Sequence, residues 1–376
     1  MTLTKYKLGD LIELCDERNY SGEYTLDDVR GISTNKSFIE TKANMNGVDL
    51  SNYKIVNPKA IAYVSDTSRR GDKISLAYND NENSFLVSSI STVFRTIENK
   101  LLSRYLMMFF ARAEFDRYSR FNSWGSAREA FSWEDMCDID IELPPLHIQK
   151  KYVDIYNAML ENQKSYERGL EDLKLVCDAY IEDLKRNTKS EYLFKYIERY
   201  DIRNGPNGSK NVMGVSTSKE FRLPTSKVNK NELSNYKVVK PRQISFVQTT
   251  HNEKVFAYAF NNTDKDIVVT SVNEVFSTNE DLLLPEYLAM FFNRTEFDRY
   301  ARFHSWGSAR ETFTWNDLIK VKIPIVDMDI QKSLSNIYNI YKKRKQINEQ
   351  LKAQIKDICP ILIKGSIEEA KKIKEA

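Results

Sequence analysis

A block of 28 residues is written twice in this chain, and the repetition limits its possible folds more than any other feature. Phe109 to Met136 read FFARAEFDRYSRFNSWGSAREAFSWEDM, and Phe291 to Leu318 read FFNRTEFDRYARFHSWGSARETFTWNDL, displaced by 182 positions with 20 of the 28 residues identical. Ordinary residue frequencies would give roughly one or two matches by chance, so the chain contains a duplication. A period of 182 residues can enclose its own core, which points to a repeated domain rather than a solenoid of short units.

The repeat extends outward from this block. Ile12, Glu13, Asp16, Arg18 and Asn19 recur in order as Ile197, Glu198, Asp201, Arg203 and Asn204, GIST from Gly31 faces GVST from Gly214, and LSNYKIV from Leu50 faces LSNYKVV from Leu233. Runs rich in β-branched and aromatic residues occupy 60–64, 73–78 and 85–94, separated by polar turn residues, so each half holds a sheet. Next comes a helix, in which Leu102, Leu106, Phe109, Phe110 and Ala113 recur at steps of three and four; Pro285 suits the first turn of the second copy. The shared SWGSARE breaks that period and predicts a loop. Ser132 with Asp135, and Thr314 with Asp317, have the spacing of helix caps. A last short strand closes each domain.

The segments after the two domains differ in character from the domains themselves. From Ile148 to Leu184 there is one glycine and no proline, with apolar residues at Ile148, Tyr152, Ile155, Met159, Tyr166, Leu170, Leu173, Cys177, Tyr180 and Leu184. These steps describe a long helix of coiled-coil type. A second such seam runs from Ile330 through Leu334, Ile337, Tyr341, Leu351, Ile355 and Ile358 until Pro360 disturbs it. The order domain, helix, domain, helix predicts an antiparallel helix pair with the domains at opposite ends, related by an approximate two-fold axis. The fold class expected is therefore α/β, with α+β domains in tandem: 1–146, a long helix over 147–187, a second domain over 188–327, and a second long helix with a tail over 328–376.

Composition narrows the functional class by exclusion. A 41% hydrophobic chain with four cysteines far apart and no CxxC pair predicts a globular protein with reduced thiols in a cytoplasmic setting. No apolar run approaches a membrane span, and MTLTKYKLGD lacks a signal-peptide core. The net charge of +3 permits an anionic partner without demanding one. No GxGxxG or GxxxxGK[ST] is present, which removes the phosphate-cradling loops. His147, His251 and His304 have no metal-ligand spacing, and no carboxylate pair stands out for acid-base work. The chain reads as non-catalytic, with no metal and no cofactor of its own.

A binding module must then account for the repeat. SWGSAR carries an indole, hydroxyls at Ser126 and Ser308, and guanidinium groups at Arg128 and Arg310, groups suited to phosphates and base edges. Trp124 and Trp306 are expected in the core. The copies part company upstream: SDTSRRGDKI at 65–74 corresponds to QTTHNEKV at 248–255. One hairpin-like loop thus carries Arg69 and Arg70 in the first half and Thr249 and His251 in the second, and a shared scaffold with differing polar loops is how a duplicated reader acquires two specificities. Ser33, Thr34 and Lys36, with Thr217, Ser218 and Lys219 in the other half, complete the candidate contacts.

The domain–helix order, the GSAR turn at Gly125 to Arg128 and Gly307 to Arg310, and PPLHIQKKY at Pro144 to Tyr152 together resemble the specificity subunit of type I restriction-modification systems. The second helix begins IVDMDIQKS and lacks the double proline, which affects only where that helix starts. The resemblance implies two target-recognition domains, each reading one half of a bipartite double-stranded DNA sequence, and spacer helices that set the gap. It also implies two modification subunits that methylate adenine with S-adenosylmethionine, and restriction subunits using ATP and Mg. Independently, 37 residues of helix from Ile148 to Leu184 span roughly 55 Å at about 1.5 Å per residue, comparable with one and a half turns of B-DNA at about 34 Å each. The competing reading is a two-domain protein-binding adaptor that works through its helices. A nuclease or methyltransferase without recognisable motifs is a further rival.

Overall fold

A computed structural model describes residues 3–41, 43–67, 73–126, 128–225, 227–229, 232–249, 254–307 and 310–375. The first half contains β1 (Thr4–Lys7), β2 (Ile12–Cys15), β3 (Arg30–Ile32), β4 (Phe38–Glu40), β5 (Lys54–Val56), β6 (Ile61–Val64), β7 (Ser75–Tyr78), β8 (Phe85–Val87) and β9 (Ser91–Thr96). Helices α1 (Ser103–Phe110), α2 (Ala113–Phe121) and α3 (Trp133–Cys137) come next, then β10 (Asp140–Leu143) and the long α4 (Leu146–Asn187). The second half repeats the series as β11 (Ser190–Tyr192), β12 (Ile197–Tyr200), β13 (Gly214–Val215), β14 (Phe221–Arg222), β15 (Lys237–Val239), β16 (Ile244–Val247), β17 (Tyr258–Phe260), β18 (Ile267–Val269) and β19 (Asn273–Thr278). It closes with α5 (Pro285–Phe292), α6 (Thr295–Phe303), α7 (Trp315–Leu318), β20 (Lys322–Pro324) and α8 (Met328–Glu375).

Both copies fold alike. Each has one antiparallel four-stranded sheet, β2-β9-β6-β7 in the first and β12-β19-β16-β17 in the second, with three two-stranded ribbons around it. In β6 all four residues are buried, as a strand flanked on both edges and covered on both faces requires. Its register places Ile61 opposite Phe94 of β9 and Tyr78 of β7. Aromatic residues of α1 and α2 fill the space over the sheet: Phe94 meets Phe110 edge-on at 6.4 Å, and Phe110 meets Phe115 at 4.4 Å. In the second copy Phe256, at the position of Ile74, meets Phe292 and Phe297 edge-on, and Phe292 meets Phe297 at 4.6 Å. The two expected caps form, with Ser132 and Asp135, and likewise Thr314 and Asp317, exchanging side-chain and backbone hydrogen bonds at the starts of α3 and α7.

The chain divides into two compact units, residues 1–165 with 349–376, and residues 166–348, so each long helix contributes to both. In the first unit a Cβ on Gly365 of α8 would lie 3.1 Å from the Tyr152 ring of α4, and Tyr156 lies beside Cys359. In the second, the Arg344 guanidinium stacks over the Tyr166 ring at 4.7 Å, while Cys177 packs with Tyr338 and Tyr341. Advancing along α4 therefore means retreating along α8 in either unit, the pairing of an antiparallel coiled coil. The expected break at Pro360 does not occur, since α8 runs through it to Glu375. A proline forfeits one backbone hydrogen bond and crowds the preceding turn, but Cys359, Leu362 and Ile363 around it are buried in the core of the first unit, and that packing outweighs the local cost. All four cysteines are free, and burial pushes the thiols of Cys177 and Cys359 up to about 11, as for small buried hydrophobes. No helix among the described residues is long and apolar enough to cross a membrane.

One buried glutamine fastens each long helix to the domain before it. The α1 helix has no side-chain cap of its own; instead Gln149 of α4 accepts a hydrogen bond from Leu102 N at 3.0 Å and donates to the carbonyls of Lys100 and Pro144 at 2.9 and 2.8 Å. Gln331 of α8 does the same with Leu284 N and the carbonyls of Leu282 and Val326. Both glutamines are fully buried. Replacing Gln149 with Leu keeps the volume and orphans three backbone groups, so it should lower the stability of the first unit by about 1–3 kcal/mol. Urea unfolding of the variant and the parent, followed through tryptophan fluorescence, checks this.

Candidate nucleic-acid interface

Three loops meet beside helix α2 in the first unit, and beside α6 in the second. The first is the turn between β3 and β4. Ser33 N–H donates to the Ser37 carbonyl at 3.0 Å, Lys36 N–H to the Ser33 carbonyl at 3.1 Å, and the Ser33 hydroxyl accepts from Asn35 N at 3.0 Å. Lys36 has φ of 62°, and its counterpart Lys219 has 64°. That left-handed conformation costs roughly 1–2 kcal/mol for a side chain other than glycine, so something must hold it.

A buried ion pair does. The Lys36 ammonium donates to Asp116 Oδ1 of α2 at 2.5 Å and to the Ile74 carbonyl at 2.9 Å, and the same Asp116 oxygen accepts Ile74 N–H at 3.2 Å. Lys219 repeats this with Asp298 at 2.8 Å and the Phe292 carbonyl at 2.7 Å, while Asp298 accepts Phe256 N–H at 3.0 Å. Burial holds both ammonium groups below the ordinary lysine value, with the carboxylate pulling the other way. Ile74 and Phe256 close the second loop, which joins β6 to β7 and β16 to β17. One carboxylate thereby positions a turn and a hairpin together on a helix.

The third loop is the shared SWGSARE. Trp124 and Ala130 exchange backbone hydrogen bonds at 3.1 and 3.0 Å, as do Trp306 and Thr312 at 3.2 and 3.0 Å. Gly125 and Gly307 have φ of 139° and 136°, and a Cβ on either would lie 2.2 or 2.3 Å from the carbonyl oxygen of Arg128 or Arg310, which makes glycine obligatory there. Glu129 pairs with Arg120 of α2, and Glu311 with Arg302 of α6, so the neighbouring Arg128 and Arg310 stay exposed. This loop adjoins the second one directly: Thr67 N–H donates to the Glu129 carbonyl and Phe131 N–H to the Ser65 carbonyl, both at 2.9 Å, and Phe313 N–H donates to Gln248 at 2.7 Å. The shared turn and the divergent hairpin are strands of one small ribbon. Among the described residues no cluster of acidic, histidine or cysteine side chains could hold a metal ion.

Residues 2–172 match the sequence model of a family described as type I restriction modification DNA specificity domain. The first half of the chain is thus similar to a type I restriction-modification specificity domain. By the internal repeat, the second half is a second copy of that specificity domain's fold. The crystal structure of a type I restriction-modification S subunit from M. genitalium is similar in fold, with 10% identity, coverage of 97% of this chain and 96% of that one, and a TM-score of 0.59. The HsdS subunit from Thermoanaerobacter tengcongensis has 13% identity, the same two coverages and a TM-score of 0.39. No curated protein matches the chain.

The candidate contacts of the two copies fall into distinct places. Ser126, Arg128, Thr217, Ser218 and Arg310 are exposed, and Ser33, Thr34 and Thr249 are half-buried. Lys36 and Lys219 turn inward to their carboxylates. Arg69, Arg70, His251 and Ser308 lie outside the described residues. Trp124 and Trp306, expected in the core, are 68% and 74% exposed, because the backbone bridge rather than the indole closes the loop. Sequence reasoning passed over Asp116 and Asp298, although a carboxylate repeated beside the core residues Phe115 and Phe297 signals a buried cationic partner. Lys36→Met should cost about 3–5 kcal/mol by leaving Asp116 buried and unpaired, and adding Asp116→Leu should recover part of that loss. A double-mutant cycle by urea unfolding measures it, and additive effects would mean that the pair is uncoupled.

Proposed function

We propose that this chain is the DNA-reading specificity subunit of a type I restriction-modification complex, in which each domain reads one half-site of a bipartite duplex. The observation that carries this reading is the ribbon in each unit, where an identical turn lies against a loop that differs between the copies. Identical parts suit the phosphate backbone, which has the same chemistry everywhere, and differing loops suit base edges in the grooves. In this reading Ser126, Arg128, Ser308 and Arg310 belong to the identical part. Arg69 and Arg70, with Thr249 and His251, belong to the divergent loops, and Ser33, Thr34, Thr217 and Ser218 lie on the turns anchored next to them. Lys36 and Lys219 act from behind by fixing those turns. The family match over residues 2–172 supports DNA as the partner. A continuous helix of 42 residues, about 63 Å long at 1.5 Å per residue, suits a spacer between half-sites. Adenine methylation and cleavage are then the work of modification and restriction subunits in the cytoplasm, where free thiols persist.

The test is methylome sequencing of a host carrying this protein with its methyltransferase subunit. The expected result is a gapped motif of two short halves, and a continuous motif would sink the bipartite reading. Exchanging residues 65–74 for 248–255 should change one half of that motif and leave the other as it was. An unchanged motif removes the hairpin from the reading surface.

A further inference from the structure

The shared block keeps side chains that its own fold does not use. Phe121 is 79% and Phe303 81% exposed at the ends of α2 and α6, next to the exposed Trp124 and Trp306. Single exposed apolar residues need no explanation, but here the same aromatic pair stands at the same place twice. Packing does not account for this, since the eight positions at which the blocks differ include the buried pairs Ser119/Ala301 and Met136/Leu318. Among the exposed side chains, Arg117, Phe121, Trp124 and Arg128 nevertheless have identical counterparts in Arg299, Phe303, Trp306 and Arg310. Among the described residues, the hydrogen bonds by which Trp124 closes the loop are those of its backbone. A surface kept the same in two readers meets something that is the same in both half-sites.

The surroundings identify that common partner. The loop that carries the patch is one β-bridge from the base of the divergent hairpin, through Asp66 with Ala130 in the first unit and Thr249 with Thr312 in the second. The acid within the loop pairs with Arg120 or Arg302, and the exposed arginine of the turn follows the exposed tryptophan by four residues. Exposed rings beside a guanidinium suit the edge of a duplex, where the guanidinium meets phosphate and the rings meet sugars and groove edges. We infer that Phe121, Trp124 and Arg128, with Phe303, Trp306 and Arg310, form a sequence-independent DNA contact repeated at each half-site. The arginine binds phosphate, and the rings press on the sugars and bases beside the base pairs that the hairpin reads. This rests on the DNA-reading function proposed above.

The experiment uses the full chain assembled with its methyltransferase subunits. The probes are a duplex carrying the methylome motif and a scrambled duplex of equal length. Trp124→Ala with Trp306→Ala should weaken binding of both duplexes alike, by about ten- to a hundredfold, with the methylated motif unchanged. Trp124→Phe with Trp306→Phe, which keeps a ring at each site, should restore most of the affinity and shows that the alanine variant fails for want of a ring rather than of a fold. Unchanged affinity overturns the inference. Weaker binding that comes with loss of assembly with the methyltransferase subunits also overturns it, because the patch is then a protein-docking surface. A changed motif also overturns it, because the contact would then be reading sequence. If the parent complex prefers neither duplex, the DNA-reading function itself fails, and that outcome is separate from any effect of the variants.

Discussion

The loops beside α2 and α6 depend on a lysine that turns inward. Lys36 and Lys219 sit in a strained left-handed conformation, and each spends its charge on a buried aspartate of the helix behind it. A buried ion pair adds little net stability, because removing both charges from water costs about as much as their attraction returns. Its value is geometric. One carboxylate accepts hydrogen bonds from the lysine of one loop and from the backbone at the end of another, so the two loops cannot move independently. A recognition surface held to a fraction of an ångström needs its loops locked by groups behind them.

The buried glutamines have a corresponding role between domain and helix. Gln149 and Gln331 satisfy backbone groups of the preceding domain from the first turn of a long helix. The direction of each helix is thereby fixed to its own domain rather than left to a flexible linker. A flexible joint there would leave each helix free to pivot against its own domain.

Much of this was legible in the primary structure. The duplication, the order of domain and helix, and the antiparallel pairing of the helix seams come from repetition and apolar spacing, which act locally and survive translation into structure. So does the SWGSARE loop, whose glycine is obligatory. Less legible were the features that join distant segments. Asp116 lies 80 residues from Lys36, and nothing in either neighbourhood names the other as its partner. Trp124 was expected in the core because tryptophan is mostly apolar, whereas the loop is closed by backbone hydrogen bonds that leave the ring outside. Pro360 was expected to break α8, but propensity is weak against a buried face on both sides.

The sequence by itself determined that there are two copies of one domain, each succeeded by a helix too long to serve only as a link, and that the hairpin at 65–74 and 248–255 carries different polar residues in the two copies. Tertiary structure alone decided which side chains are available for binding. It turned two lysines inward and two tryptophans outward, and it laid the shared turn against the divergent hairpin as one ribbon. The reason is physical: periodicity and repetition are properties of the chain, but whether a charge is paired or a ring is exposed depends on partners that only folding brings into contact.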